Sequence, residues 1–129
     1  MQVVRLLPPL AVMVLIFLLS HQPGDDLPPF FPFFDKIAHF SIYGLLAATV
    51  IGACRPEVRQ RRPGAVILGA VLCCLVYGIS VEFHQSFIPG RSPSAADVVA
   101  DTFGALSAAL AWLLVVRAGG RTGPRGRTG

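Results

Sequence analysis

Four long apolar blocks, at residues 3–20, 37–54, 65–83 and 95–116, are separated by short polar stretches rich in proline or arginine. Each is close to the ~20 residues a helix needs to cross ~30 Å of hydrocarbon at ~1.5 Å per residue. Hydrocarbon offers the backbone no hydrogen-bond partner, so separate segments of this length can span it only as helices. The pattern predicts an all-α polytopic membrane protein, a four-helix transmembrane bundle within a domain over residues 1–118. The remaining residues, 119–129, are rich in Gly and Arg without an apolar side chain to anchor them, and are expected to be a disordered basic tail.

Polar residues inside the blocks fall on faces. Asp35, His39 and Tyr43 step by four and share one stripe of the second span. Asp97, Asp101, Gly104 and Ala108 form a stripe on the fourth. Ala96, Ala100, Gly104 and Ala108 give an overlapping small-residue register that lets a neighbouring helix approach closely. The acidic face of the fourth span is therefore expected to point into the bundle. Glu82 and Gln85 share one side of the end of the third span.

Composition agrees with a membrane chain. With 53% hydrophobic and 14% charged residues and a mean hydropathy of +0.64, its 129 residues are more apolar than a soluble domain of that length requires. The net charge of +4 does not imply nucleic acid, because the basic residues sit at block ends rather than along one face or in a binding motif. Cys54, Cys73 and Cys74 lie in or beside apolar blocks and are expected to be small packing residues.

Charge sets the expected orientation. Of 11 basic residues, only Lys36 and Arg91 fall on the side opposite Arg5, the 55–62 loop and the C-terminal arginines. The positive-inside rule then places both termini in the cytoplasm, in an inner membrane, with every acid but Glu57 at or near the outer side. Arg5 followed by an apolar run also fits a signal peptide. Cleavage after Ser20 would leave Leu18 where a small residue is wanted, so the first block is expected to remain a span. Residues 22–34, with Phe30, Phe31, Phe33 and Phe34 among prolines, are expected to lie along the outer interface as a simple interfacial anchor or as an aromatic collar or partial lid.

Each polar residue at that side has an ordinary structural reading. Asp35 fits the N-cap of the second span, and Ser94 with Asp97 fits a capping box opening the fourth. His84 fits an interfacial position and His21 a solvated loop. Asp101 resists such a reading: about 10 Å along its helix from Ser94, it is too deep to cap. An ionisable group there costs a few kcal/mol unless paired, with Lys36, His39 or Arg91 as available partners. Arg91, with a fork that meets a carboxylate bidentately, is expected on Glu82 or Asp97, and Lys36 is expected to face ligand or lipid phosphate.

The ordered set Asp35-Lys36-x-x-His39-Phe40, Glu82-x-x-Gln85 and Pro89-Gly90-Arg91-x-x-Ser94-x-x-Asp97 resembles the VanZ-like family of small membrane proteins, from about residue 35 to 104. That family often carries Asn where this chain has Asp101, and its founding member is associated with resistance to the glycopeptide teicoplanin. The resemblance implies a fold and a polar site more than a defined activity. The reading that follows is a membrane protein binding an amphipathic or anionic envelope ligand, a membrane lipid or lipid-linked precursor, through Lys36, His39, Glu82, Gln85, Arg91, Asp97 and Asp101. Asp35 and Ser94 would act as caps, and neither metal nor cofactor is assigned. The alternative is an intramembrane metal-dependent hydrolase or transferase, for which Asp35, His39, Glu82, Asp97 and Asp101 supply ligands although no compact pair such as HExxH is present. A transporter is disfavoured because four short spans show no inverted repeat; homo-oligomer formation stays open.

Overall fold

A computed structural model of the chain describes residues 2–21 and 34–121. Its helices are α1 (Leu7–Ser20), entered through a 3-10 turn at Val3–Leu6, α2 (Phe34–Ala53), α3 (Pro56–Arg61), α4 (Pro63–Gln85) and α5 (Ala95–Arg121). Four segments, Val3–Ser20, Phe34–Ala53, Pro63–Gln85 and Ala95–Gly120, are long and apolar enough to span a membrane. The molecule is an all-α four-helix transmembrane bundle. The expected aromatic collar, Phe34 excepted, and nearly all of the expected tail lie outside the described residues, while α5 runs past the boundary drawn at residue 118.

Proline marks where the helices start. It occupies the first or second position of α1, α3 and α4, where its fixed φ suits the helix and its missing N–H is not needed. The six-residue α3 was not expected from the hydrophobic pattern. Glu57 in its first turn and Arg59 and Arg61 in its last complement the helix dipole. Between α4 and α5 the chain turns at Ile88-Pro89-Gly90-Arg91. The Arg91 N–H donates to the Ile88 carbonyl at 3.2 Å, and Gly90 has φ 75°, the left-handed value that the third residue of a type II turn demands.

Packing is most extensive between α2 and α5. Gly104 is the reason: a Cβ there would land on the Phe40 carbonyl, and one at Gly44 would come within 3.2 Å of the Gly104 oxygen. The two backbones touch where both side chains are missing, as in small-residue crossings generally. The buried stripe of α5 follows Asp97, Asp101, Gly104, Ala105 and Ala109, whereas Ala96, expected in the small-residue register, is exposed. Below the crossing, Tyr43, Leu46, Ala47, Cys74 and Ala105 form one apolar cluster, and Ile51, Val66, Ala70 and Ala109 a second nearer the arginine-rich end.

Helix α1 lies at the margin and buries only Pro9, Val12, Ile16 and Ser20, one stripe at helical spacing. Polar contacts hold it. The Tyr77 hydroxyl donates to the Met13 carbonyl at 2.5 Å, the Arg91 guanidinium to the Leu19 carbonyl at 3.2 Å, and the Arg55 guanidinium to Gln2 Oε1 at 2.6 Å.

Candidate functional site: a charged cluster at one end of the bundle

Helices α2 and α5 begin, and α4 ends, at the same end of the bundle, so the three polar stretches of the sequence meet there. On α2, the four-residue step of Asp35, His39 and Tyr43 aims all three at α5 and α4. Solvent exposure falls steeply along this path. The side chain of Asp35 is 57% exposed, that of His39 16%, that of Asp97 10% and that of Asp101 1%.

At the centre, His39 Nδ1 lies 2.7 Å from Asp101 Oδ1. With Asp101 ionised the carboxylate only accepts, so the ring proton sits on Nδ1, and in the neutral ring the lone pair is on Nε2. That nitrogen stands 3.8 Å from Asp35 Oδ1 and 3.8 Å from Asp97 Oδ2. Lys36 donates to Asp97 Oδ1 and, at 3.3 Å, to Asp35. Asp35, His39 and Asp97 offer donor atoms within 4.8 Å of one another.

Beneath this layer, three buried polar atoms lack a partner among the described residues: Tyr43 Oη, Glu82 Oε1 and Asp101 Oδ2. Gly78 makes room for Asp101 and Tyr43, since a Cβ at that position would stand 2.9 Å from Asp101 Oδ2 and 3.5 Å from the Tyr43 ring. Tyr43 entered the sequence reading only as part of a stripe, and Gly78 not at all. A signal for Gly78 was available: with Cys74, Glu82 and Gln85 it continues one face of α4 at helical spacing, and all four are buried.

Several expectations are redirected. Asp35 stands within the first turn of α2 and faces Lys36 and His39. Ser94 does precede α5, and its carbonyl accepts the Asp97 N–H at 3.1 Å. The carboxylate on the Ser94 N–H, however, is Glu82, at 2.9 Å. A residue of α4 therefore takes the place of the expected capping-box acid, which frees Asp97 for α2. The cation on Asp97 is Lys36, not Arg91, because Lys36 sits on the packed helix pair while Arg91 leaves the turn towards α1. Of the partners open to Asp101, the structure selects His39. Gln85 is buried beside Glu82 as their spacing predicts.

A second imidazole pair lies to one side. His21 Nδ1 and His84 Nε2 are 3.1 Å apart with the rings stacked, and Phe17 leans on both. Neither histidine was expected to make a specific contact.

Fold and cluster together describe a helical membrane protein with four candidate spans, closed at one end of the bundle over a histidine–carboxylate–lysine cluster. The chain matches the family model described as VanZ/LLP1 over residues 6–116 and belongs to that family. No curated protein and no solved structure matches it.

Proposed function

We propose that this protein receives the polar head of an amphipathic cell-envelope molecule, a membrane lipid or a lipid-linked wall precursor, at the outer leaflet of the inner membrane. The observation that carries the reading is the graded charge cluster on the α2–α5 pair. Ionisable groups drawn into the apolar part of a bundle cost a few kcal/mol each unless paired, and structural capping accounts for none of Lys36, His39 or Asp101. Lys36, still 37% exposed, provides the donor to an anionic head group while held by two carboxylates. Phe34 and Ile37 on α2 and Phe83 and Phe87 near the end of α4 expose apolar surface at the same end of the bundle, available to the ligand's hydrocarbon. The outer placement follows from the basic residues gathered at the other end. The glycopeptide-resistance link of the family is expected to act through such a ligand.

The test is mass spectrometry of lipids retained by the detergent-purified protein, beside a teicoplanin susceptibility assay in cells. Wild-type protein is expected to retain one lipid class that Lys36→Ala loses. An identical, unselective lipid profile in both proteins would sink the reading.

The alternative, an intramembrane hydrolase or transferase acting on a lipid-linked substrate, is favoured by a different observation. His39, with Nδ1 held by a buried carboxylate, has the arrangement of a general base. Turnover of a lipid-linked phosphate that disappears in His39→Ala would establish it.

A further inference from the structure

We propose that His39, Asp35 and Asp97 bind one divalent transition-metal ion of the zinc and manganese class at the mouth of the charge cluster. The ion site shares residues with the cluster proposed to receive the ligand head, but it goes beyond that reading and stands without it.

Three independent features point there. The first is geometry. His39 Nε2 lies 3.8 Å from one oxygen of each aspartate, and the three donor atoms fall within 4.8 Å. Donors on a tetrahedral zinc, each about 2.0–2.1 Å from the metal, stand roughly 3.4 Å apart. Closing the ring around an ion therefore takes side-chain movements of about an ångström. Asp35, the most exposed of the three and in the first turn of its helix, has the freedom to make them.

The second is the carboxylate behind the histidine. Asp101, buried on α5, accepts from Nδ1 at 2.7 Å and so turns the Nε2 lone pair towards the two aspartates. Carboxylate–histidine–metal relays have this arrangement, with the outer carboxylate fixing the tautomer and raising ligand basicity.

The third is charge. Asp35 and Asp97 flank the ammonium of Lys36 and Asp101 lies behind His39, so with the three carboxylates ionised and the imidazole neutral two negative charges remain for a dication to cancel. Lys36 does not compete for the ion's position. It contacts Asp97 Oδ1 and Asp35 Oδ2, whereas the oxygens facing His39 are Asp97 Oδ2 and Asp35 Oδ1. One imidazole nitrogen with two carboxylate oxygens suits a borderline ion rather than a soft one. Three protein ligands leave a coordination position open for water or for an oxygen of a bound head group.

The experiment uses the full-length protein in detergent, stripped with chelator and titrated calorimetrically with Zn2+ and with Mn2+. Substitution by Co2+ gives a spectroscopic readout of coordination. Wild type is expected to bind one ion per chain and to give the visible absorption of four-coordinate Co2+. Asp35→Asn, at an exposed position that leaves the bundle intact, is expected to weaken binding by about tenfold or more, and Asp101→Asn by about 10–100-fold. His39→Ala is expected to abolish it, and His84→Ala to leave it unchanged. Absence of saturable one-to-one binding would overturn the site, as would full affinity in Asp35→Asn. Loss in His84→Ala with retention in His39→Ala would overturn it too, by moving the ion to the His21–His84 pair. Lipid retention measured on the same samples separates the two ideas: metal binding without selective lipid defeats the ligand reading and upholds the ion site.

Discussion

Asp101 concentrates the electrostatic problem of this bundle in one residue. Its side chain is almost wholly enclosed, one oxygen on His39 and the other facing the space left by Gly78. Removing one member of a buried pair strands the other, at a cost of about 3–5 kcal/mol. Asp101→Ala is therefore expected to unfold markedly earlier than wild type in a thermal melt in detergent. Asp101→Asn should lose much less, because an amide oxygen still accepts from Nδ1. If the two variants melt alike, the Nδ1 hydrogen bond does not hold His39. Gly78 supports the same group from the other side. An alanine there meets a carboxylate oxygen rather than backbone, so Gly78→Ala is expected to displace Asp101 and lower the melting temperature without abolishing folding.

Between elements, the contact of α2 with α5 decides whether the cluster exists at all, since Lys36 and His39 stand on one helix and Asp97 and Asp101 on the other. Gly104 admits no side chain because the Phe40 carbonyl occupies the space of its Cβ. Overpacking typically costs about 1–3 kcal/mol, and more where the obstacle is backbone that cannot rotate away. Gly104→Ala should destabilise the bundle by at least that amount, and Gly104→Leu should prevent its assembly. Gly69 on α4 is the control: nothing lies within 4 Å of its Cβ position, and alanine there should be neutral or slightly stabilising. Size-exclusion profiles and detergent melts of the three proteins check both statements. Unchanged stability in Gly104→Leu would mean that the helix pair does not close at this point. For the loosely packed α1, the expected effect is different. Tyr77→Phe removes its donor to Met13 and should lower stability by about 1 kcal/mol, a net hydrogen bond, while leaving the α2–α5 pair intact.

At the scale of the molecule, the sequence carries an orientation that the packing of helices does not record. Arginines gather at the end where α1 starts and α5 finishes, and the acids at the other. On the positive-inside rule, a phosphatase reporter fused after Gly129 is expected to be inactive, and one placed in the 22–33 segment active. The reverse pattern would put the charge cluster on the cytoplasmic side and exclude an outer-leaflet ligand.

The number of long apolar helices and the faces that carry polar groups could be read from the chain alone. Those features follow from hydrocarbon thickness and helical periodicity, which act on each segment alone. The gathering of Asp35, His39, Asp97 and Asp101 at one end was legible for the same reason: four-residue steps fix a face whatever lies opposite. Which charge meets which depends instead on how the helices pack. Lys36 rather than Arg91 takes Asp97, Glu82 caps α5 from another helix, His39 answers Asp101, and His21 meets His84. Each of these pairs joins residues far apart in the chain, and its distance depends on how closely two helices approach and how they are rotated. At Gly44 and Gly104 that approach is set by the absence of a side chain, and at Gly78 the same absence leaves room for a buried carboxylate. Periodicity can mark a small residue on a face, but only the packed neighbour reveals what fills the space beside it.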